Sequence, residues 1–125
     1  MKQPHILIVD DEPNIVMSLE FLMRKSGYRV SIARNGTEAL DAVDRTPFDV
    51  ILLDIMMPDV DGYQVCQHVK QSPAHQATKV IFLSAKSKEA DIDRGYEVGA
   101  DLYIPKPFST RLLMEKVKAL LAPPA

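Results

Sequence analysis

A chain of 125 residues has room for one domain of ordinary size, roughly 100–200 residues, and not for a second. With 46% hydrophobic and 26% charged residues it has the balance of a soluble globular protein, which excludes the disordered and fibrous classes. Fifteen basic and seventeen acidic residues leave a net charge of −2 with no basic run, which argues against direct nucleic-acid binding through phosphate neutralisation, and one cysteine excludes an internal disulfide.

Five short apolar runs alternate with five stretches of helical period, a βαβαβαβαβα pattern. The first run, residues 6–9, is continuously apolar. The helix after it has Pro13 in its first turn, Gly27 past its end, and Ile15, Leu19 and Leu22 at helical spacing. Run two, 28–33, alternates Tyr28, Val30 and Ile32 with Arg29 and Ser31, and the second helix is expected to start at Thr37 before Glu38. Run three, 50–53, is again unbroken. In the third helix Cys66 falls on the apolar side with Val65 and Val69, which makes it a packing residue. His68 and His75 lack a second cysteine or zinc spacing, and His5 reads as structural. Run four, 80–83, is unbroken. The fourth helix, 88–98, is rich in Glu89, Asp91, Asp93, Arg94 and Glu97, so it is expected to be held least firmly. Run five, 102–104, ends at Pro105, and the last helix follows Ser109 with Leu113, Val117 and Leu120 on one stripe. Unbroken runs belong in the centre of a parallel sheet buried on both faces, whereas the alternating and proline-ended runs belong at its edges. Right-handed crossovers then give the order 2-1-3-4-5: a doubly wound, flavodoxin-like α/β fold with five parallel strands and five helices.

In such sheets ligands bind beyond the carboxyl ends of the strands, where the winding reverses. Strand one is followed by Asp10, Asp11 and Glu12, strand three by Asp54, strand four by Ser84, and strand five by Lys106. Two unit charges about 4 Å apart at an effective dielectric near 20 repel by roughly 4 kcal/mol, so a pocket gathering Asp10, Asp11 and Asp54 calls for a divalent cation. An all-oxygen set with room for water and phosphate oxygens favours Mg²⁺, with Mn²⁺ able to substitute. Carboxylates, a lysine and a hydroxyl around one further carboxylate make a phosphoryl-transfer site, in which Asp54 is the nucleophile, Lys106 and Ser84 hold the transferring oxygens, and the product is an acyl phosphate.

The chain resembles the receiver domain of bacterial two-component response regulators, of the chemotaxis-regulator type. The resemblance is carried by Asp10-Asp11, by Asp54 with Met57-Pro58-Asp59 and Asp61-Gly62, by Ser84-Ala85, and by Lys106-Pro107-Phe108. It implies a domain over residues 1–122, with 123–125 as a tail or the start of a linker, either standing alone or belonging to a longer regulator. It implies Asp54 as the phosphoacceptor, Asp11 and Asp54 as direct Mg²⁺ ligands with Asp10 close behind, the main-chain carbonyl of Met56 as a further ligand, and Lys106 as the phosphate-binding lysine. The Lys106-Pro107 bond is expected to be cis. Ser84 and Tyr103 resemble a switch pair, in which the hydroxyl moves toward the phosphoryl group and the ring swings inward, reshaping the face of helix four, strand five and helix five. Leu102 and Ala119 stand where the dimerising, DNA-binding relatives carry a charge pair, which puts that dimer in doubt. The implied partners are a sensor histidine kinase or histidine phosphotransfer protein and a downstream protein or output domain. The protein is then no enzyme beyond its own phosphoryl transfer and self-dephosphorylation. No apolar stretch approaches the roughly 18 residues of a membrane span, and no leader is apparent, so the cytoplasm is the expected location.

Two other readings compete. Asp59-Val60-Asp61-Gly62 mimics the paired aspartates of haloacid dehalogenase-type phosphohydrolases, but that motif should begin at a strand end, and Asp59 comes behind Pro58. A non-phosphorylated binding module of the same fold is opposed by the intact set Asp10, Asp11, Asp54, Ser84 and Lys106. A flavin site is opposed by the acidic loop after strand one.

Met56 and Lys86, two residues beyond Asp54 and Ser84, are expected to border the path of an attacking water, and a thioether cannot orient water as an amide can. Met56→Asn is therefore expected to shorten the lifetime of the phosphorylated form; an unchanged decay of incorporated phosphate would refute this.

Overall fold

The computed structural model describes residues 3–122, so the closing Pro123-Pro124-Ala125 lies outside them. The elements are β1 (His5–Val9), α1 (Pro13–Lys25), β2 (Arg29–Ala33), α2 (Gly36–Arg45), β3 (Val50–Leu53), α3 (Gly62–Gln71), a 3₁₀ turn (Pro73–His75), β4 (Lys79–Ser84), α4 (Glu89–Glu97), β5 (Leu102–Pro105) and α5 (Thr110–Leu121). All strand pairs are parallel and the order is β2-β1-β3-β4-β5, as the hydrophobic pattern requires.

The strand period of two divides the core. Leu7, Val9, Ile51, Leu53, Val80 and Phe82 face α2 and α3, where they meet Ala39, Val43, Val65, Cys66 and Val69. Ile6, Ile8, Val50, Leu52, Ile81 and Leu83 face α1 and α5 and meet Val16, Leu19, Met23, Leu113 and Val117. Each fully buried aliphatic side chain contributes about 1.5–3 kcal/mol of transfer free energy, so the central strands anchor the molecule.

Several boundaries differ from expectation for identifiable reasons. Helix α2 starts at Gly36 rather than at Thr37: Asn35 is its cap and accepts from the Glu38 N–H, while Thr37 turns to another partner. Strand β5 extends through Pro105, which its edge position permits because the outward side of an edge strand needs no donor. The buried stripe of α1 is Val16, Leu19 and Met23, with Ile15 and Leu22 half-buried beside it.

The polar residues set aside as structural have structural partners. Cys66 is buried and its thiol is pushed up to about 12 by desolvation. His68 Nε2 lies 2.7 Å from Asp44 Oδ1, and the buried His75 bonds the Val43 carbonyl. At the pole opposite the candidate site, Lys70 Nζ donates to Asp101 Oδ2 and to the Thr78 carbonyl, both at 2.9 Å, and tethers α3 to the start of β5.

The His5 ring packs on Phe48 with its Nε2 2.7 Å from Ser31 Oγ. Burial and the neighbouring Arg29 hold its pKa below the ordinary 6.5, against the opposing pull of Asp49. As pH falls, the unfolded chain therefore takes up this proton first, so the contribution is present above about 6.5 and lost as pH drops through the lower folded value. Thermal melts should show wild type losing more stability than His5→Gln between pH 7.5 and 5.5; parallel pH slopes would contradict this account.

Candidate functional site

The sheet ladder runs one residue past the strands, and the chemistry begins there. Asp10 N–H donates to the Ala33 carbonyl at 3.2 Å, Asp54 N–H to Val9 at 2.9 Å, and Lys106 N–H to Ser84 at 2.7 Å. Each side chain thus leaves a backbone still fixed by the neighbouring strand, so the rim has the rigidity of the sheet. The Lys106-Pro107 bond is cis.

Asp10, Asp11 and Asp54 each bring a carboxylate oxygen to within 4.8 Å of the others. Asp10 and Asp54 are buried whereas Asp11 is exposed. Lys106 Nζ lies 3.0 Å from Asp10 Oδ2 and 3.9 Å from Asp54 Oδ2. Glu12 N–H donates to Asp10 Oδ1 at 2.9 Å and Ile55 N–H to Asp54 Oδ1 at 2.8 Å. Desolvation lifts the Asp54 carboxyl to about 6; Asp10 adds to the rise, while Lys106 and the Ile55 and Met56 N–H groups oppose it. Three carboxylates face one lysine, and the surplus negative charge, the all-oxygen donors and the open side at Asp11 fit a hard divalent cation such as Mg²⁺ or Mn²⁺.

Ser84 ends β4, fully buried, and its Oγ accepts from the Lys86 N–H at 3.2 Å. The Lys86 carbonyl in turn accepts from the Tyr103 hydroxyl at 2.6 Å. One residue, Lys86, therefore joins through its N–H and its carbonyl two residues that sequence reasoning paired only through the family resemblance. The Tyr103 ring is turned inward and is only 7% exposed, against Phe82 at 5.8 Å between centroids, and burial pushes its phenol up to about 12. Met56 is 59% exposed and shares a cleft with Asp11, Lys86, Tyr63 and Arg94.

The loop between β3 and α3 is fixed by contacts that sequence reasoning missed. Asp59 accepts from Gly36 N–H at 3.1 Å, from Thr37 N–H at 2.9 Å and from the Thr37 hydroxyl. With Asn35 on Glu38 N–H, the first three amides of α2 are satisfied. The Thr37 hydroxyl and amide hold the Asp59 carboxyl well below the usual carboxylate range. The aspartate that would be the nucleophile of a dehalogenase-type motif is therefore occupied as a helix cap. Gly36 admits the Val60 carbonyl, into which any Cβ would run. Gly62 is a second close approach: its N–H donates to the Ile55 carbonyl at 2.9 Å, and a Cβ there would strike the Asp54 carbonyl and come within 2.8 Å of Ile55 Cα. The Asp61-Gly62 pair was the available signal, with Asp61 and Gln64 closing a capping box at the start of α3.

A doubly wound parallel sheet with an acidic, lysine-backed pocket at its winding reversal defines a flavodoxin-like α/β domain with a candidate cation site. Comparison with known proteins gives the family. The response regulator receiver domain profile matches residues 6–118, and the chain belongs to this family. It is 43% identical over 116 residues to the transcriptional regulatory protein ResD of Bacillus subtilis (strain 168), covering 93% of this chain and 47% of ResD. The chain thus spans about half the length of that relative. Among solved structures, a response regulator from Chloroflexus aurantiacus J-10-fl is similar with a TM-score of 0.90 and 34% identity, over 98% of this chain and 100% of that one. The BeF3-activated receiver domain of DrrB, a Thermotoga maritima protein, is similar with a TM-score of 0.88 and 33% identity, over 96% and 98%.

Gly62→Ala is expected to cost about 1–3 kcal/mol in denaturant unfolding, the usual range for overpacking. Its amide chemical-shift changes should centre on Asp54 and Ile55. A stability within error of wild type would show that the backbone yields there freely.

Proposed function

We propose that the domain accepts a phosphoryl group on Asp54 from the phosphohistidine of a sensor histidine kinase or histidine phosphotransfer protein. The observation that carries this reading is the convergence of Asp10, Asp11 and Asp54 within 4.8 Å, with Lys106 bonded to the first and facing the third. A carboxylate oxygen of Asp54 attacks phosphorus, a P–O bond forms as the P–N bond breaks, and the bonding pair returns to the imidazole nitrogen. Burial resists ionisation of Asp54 while Lys106 favours it, so the nucleophile is charged above about pH 6. Asp10, Asp11 and Asp54, with the Met56 main-chain carbonyl, would hold Mg²⁺ (Mn²⁺ substituting), which supplies charge neutralisation at the phosphoryl oxygens. Lys106 stands ready to pair with one of those oxygens, and Ser84 to hydrogen-bond another by giving up its bond from Lys86 N–H.

Movement of Ser84 acts on the Lys86 main chain and so on Tyr103 and α4, and the face of α4, β5 and α5 then presents a different surface to a downstream protein or output domain. The role is signalling; the chemistry is confined to the domain's own phosphorylation and self-dephosphorylation. The receiver unit is assigned to residues 1–122. No described helix is long and apolar enough to cross a membrane. Assignment to the cytoplasm is in keeping with a buried, unpaired thiol. Neither membrane nor nucleic-acid contact is assigned to this domain.

The test is Asp54→Asn with a small acyl phosphate and Mg²⁺. Wild type should gain the mass of one phosphoryl group, and the variant at least a hundredfold less, as should wild type in excess chelator. The elevated Asp54 pKa means the folded protein binds this proton more tightly than the unfolded chain. In metal-free buffer at pH 8 the variant should therefore melt above wild type, and the gap should close as pH falls through about 6 towards 4. Undiminished labelling of the variant, or phosphate-ester turnover that survives the substitution, would overturn the assignment.

A further inference from the structure

We propose that Gly95 is a positioning residue for Tyr103: by leaving space beneath α4 it keeps the tyrosine ring inside the fold, and through Tyr103 it sets how well the loop beside Ser84 is organised for a phosphoryl group. This rests on the acceptor reading above and adds a residue to it.

Helix α4 is an unlikely place for a glycine on local grounds, because a helix interior favours alanine over glycine. Gly95 is nevertheless the buried residue of this helix. A Cβ built on it would lie 2.7 Å from Tyr103 Cδ2, 3.1 Å from Tyr103 Cε2 and 3.2 Å from Phe82 Cδ2. The nearest obstacle is the edge of one ring, on a side chain that can leave by rotation about its own χ angles, whereas Phe82 is locked at the centre of the core between Tyr63 and Tyr103. A methyl group at position 95 therefore acts chiefly on where Tyr103 resides.

The ring's position has consequences because of what its hydroxyl holds. The phenol donates to the Lys86 carbonyl, and the same residue's N–H donates to Ser84 Oγ. Tyr96, next to Gly95, offers its hydroxyl oxygen to the Tyr103 N–H at 3.2 Å, so β5 is tied to α4 at the same point. With the ring inside, Lys86 is held at both its N–H and its carbonyl. With the ring expelled, the Lys86 carbonyl loses its donor and the loop must be ordered by whatever binds beside Ser84. That ordering cost then appears as weaker binding.

The experiment is a double-mutant cycle on Gly95→Ala and Tyr103→Ala, read in two ways. In thermal melts without any phosphoryl mimic, Gly95→Ala should lower Tm in the wild-type background. It should raise Tm in the Tyr103→Ala background, where the space is free and only the helix preference for alanine remains. In titrations with beryllium fluoride and Mg²⁺, followed by ¹⁹F NMR, Gly95→Ala should weaken binding at least threefold in the wild-type background and by less than 1.5-fold in Tyr103→Ala. A fall in Tm of similar size in both backgrounds would overturn the proposal. So would a sign reversal in Tm with unchanged affinity, because Gly95 would then be a packing residue and no more. Absence of beryllium fluoride uptake by wild type would instead count against the acceptor reading and remove the coupling with it, and the Tm pair would still report whether Gly95 governs the ring.

Discussion

The rest of the site depends on holding the Asp10 and Asp54 carboxyl groups side by side while buried. Charge of one sign is expensive in a partly dry site, and the protein meets that cost with a single lysine and with main-chain donors from Glu12 and Ile55. This balance holds only if the groups cannot drift apart, and the parallel ladder ensures that by carrying Asp10, Asp54 and Lys106 on backbone that is still hydrogen-bonded to the neighbouring strand ends. Asp54 remains the group left short of compensation, as its raised pKa reports, and an added cation would relieve it.

The helices differ in what holds them. Helices α1 and α5 are fastened by aliphatic burial against the central strands. Helix α4 is fastened by aromatic tips. Tyr63 donates to the Asp91 carbonyl at 3.0 Å, and the Arg94 guanidinium lies 4.2 Å from the Tyr63 ring centre. Tyr103 reaches Lys86, and Tyr96 meets the edge of β5. Individual hydrogen bonds of this kind are worth about 0.5–1.5 kcal/mol, so each holds α4 more lightly than the several buried side chains together hold α1. The element that sequence composition marks as least firmly packed is thus the one joined to Ser84 through hydrogen bonds.

Similarity to ResD, to the Chloroflexus regulator and to the DrrB receiver domain places the chain within its family. Met56 and Lys86 line the cleft by the acidic pocket, and the exposed thioether has no donor and only a weak acceptor to offer a water there. Tyr96 on α4 and Leu112 on α5 are large apolar residues left exposed.

Strand order and the identity of the rim residues were legible in the sequence, because burial on two faces demands unbroken apolar runs and because the residue after a buried strand has only one place to go. Unbroken 50–53 and alternating 28–33 were enough to assign centre and edge, and Asp54 and Lys106 followed from position alone. Tertiary structure decided what depends on close approach or on main-chain atoms. The turn of Asp59 onto α2, the tight passages at Gly36, Gly62 and Gly95, and the Lys86 main chain between Ser84 and Tyr103 involve groups that every residue carries, or the absence of a side chain. A carbonyl has no signature in a sequence, and a glycine shows that space is needed without showing for what; only the packed chain supplies the neighbour.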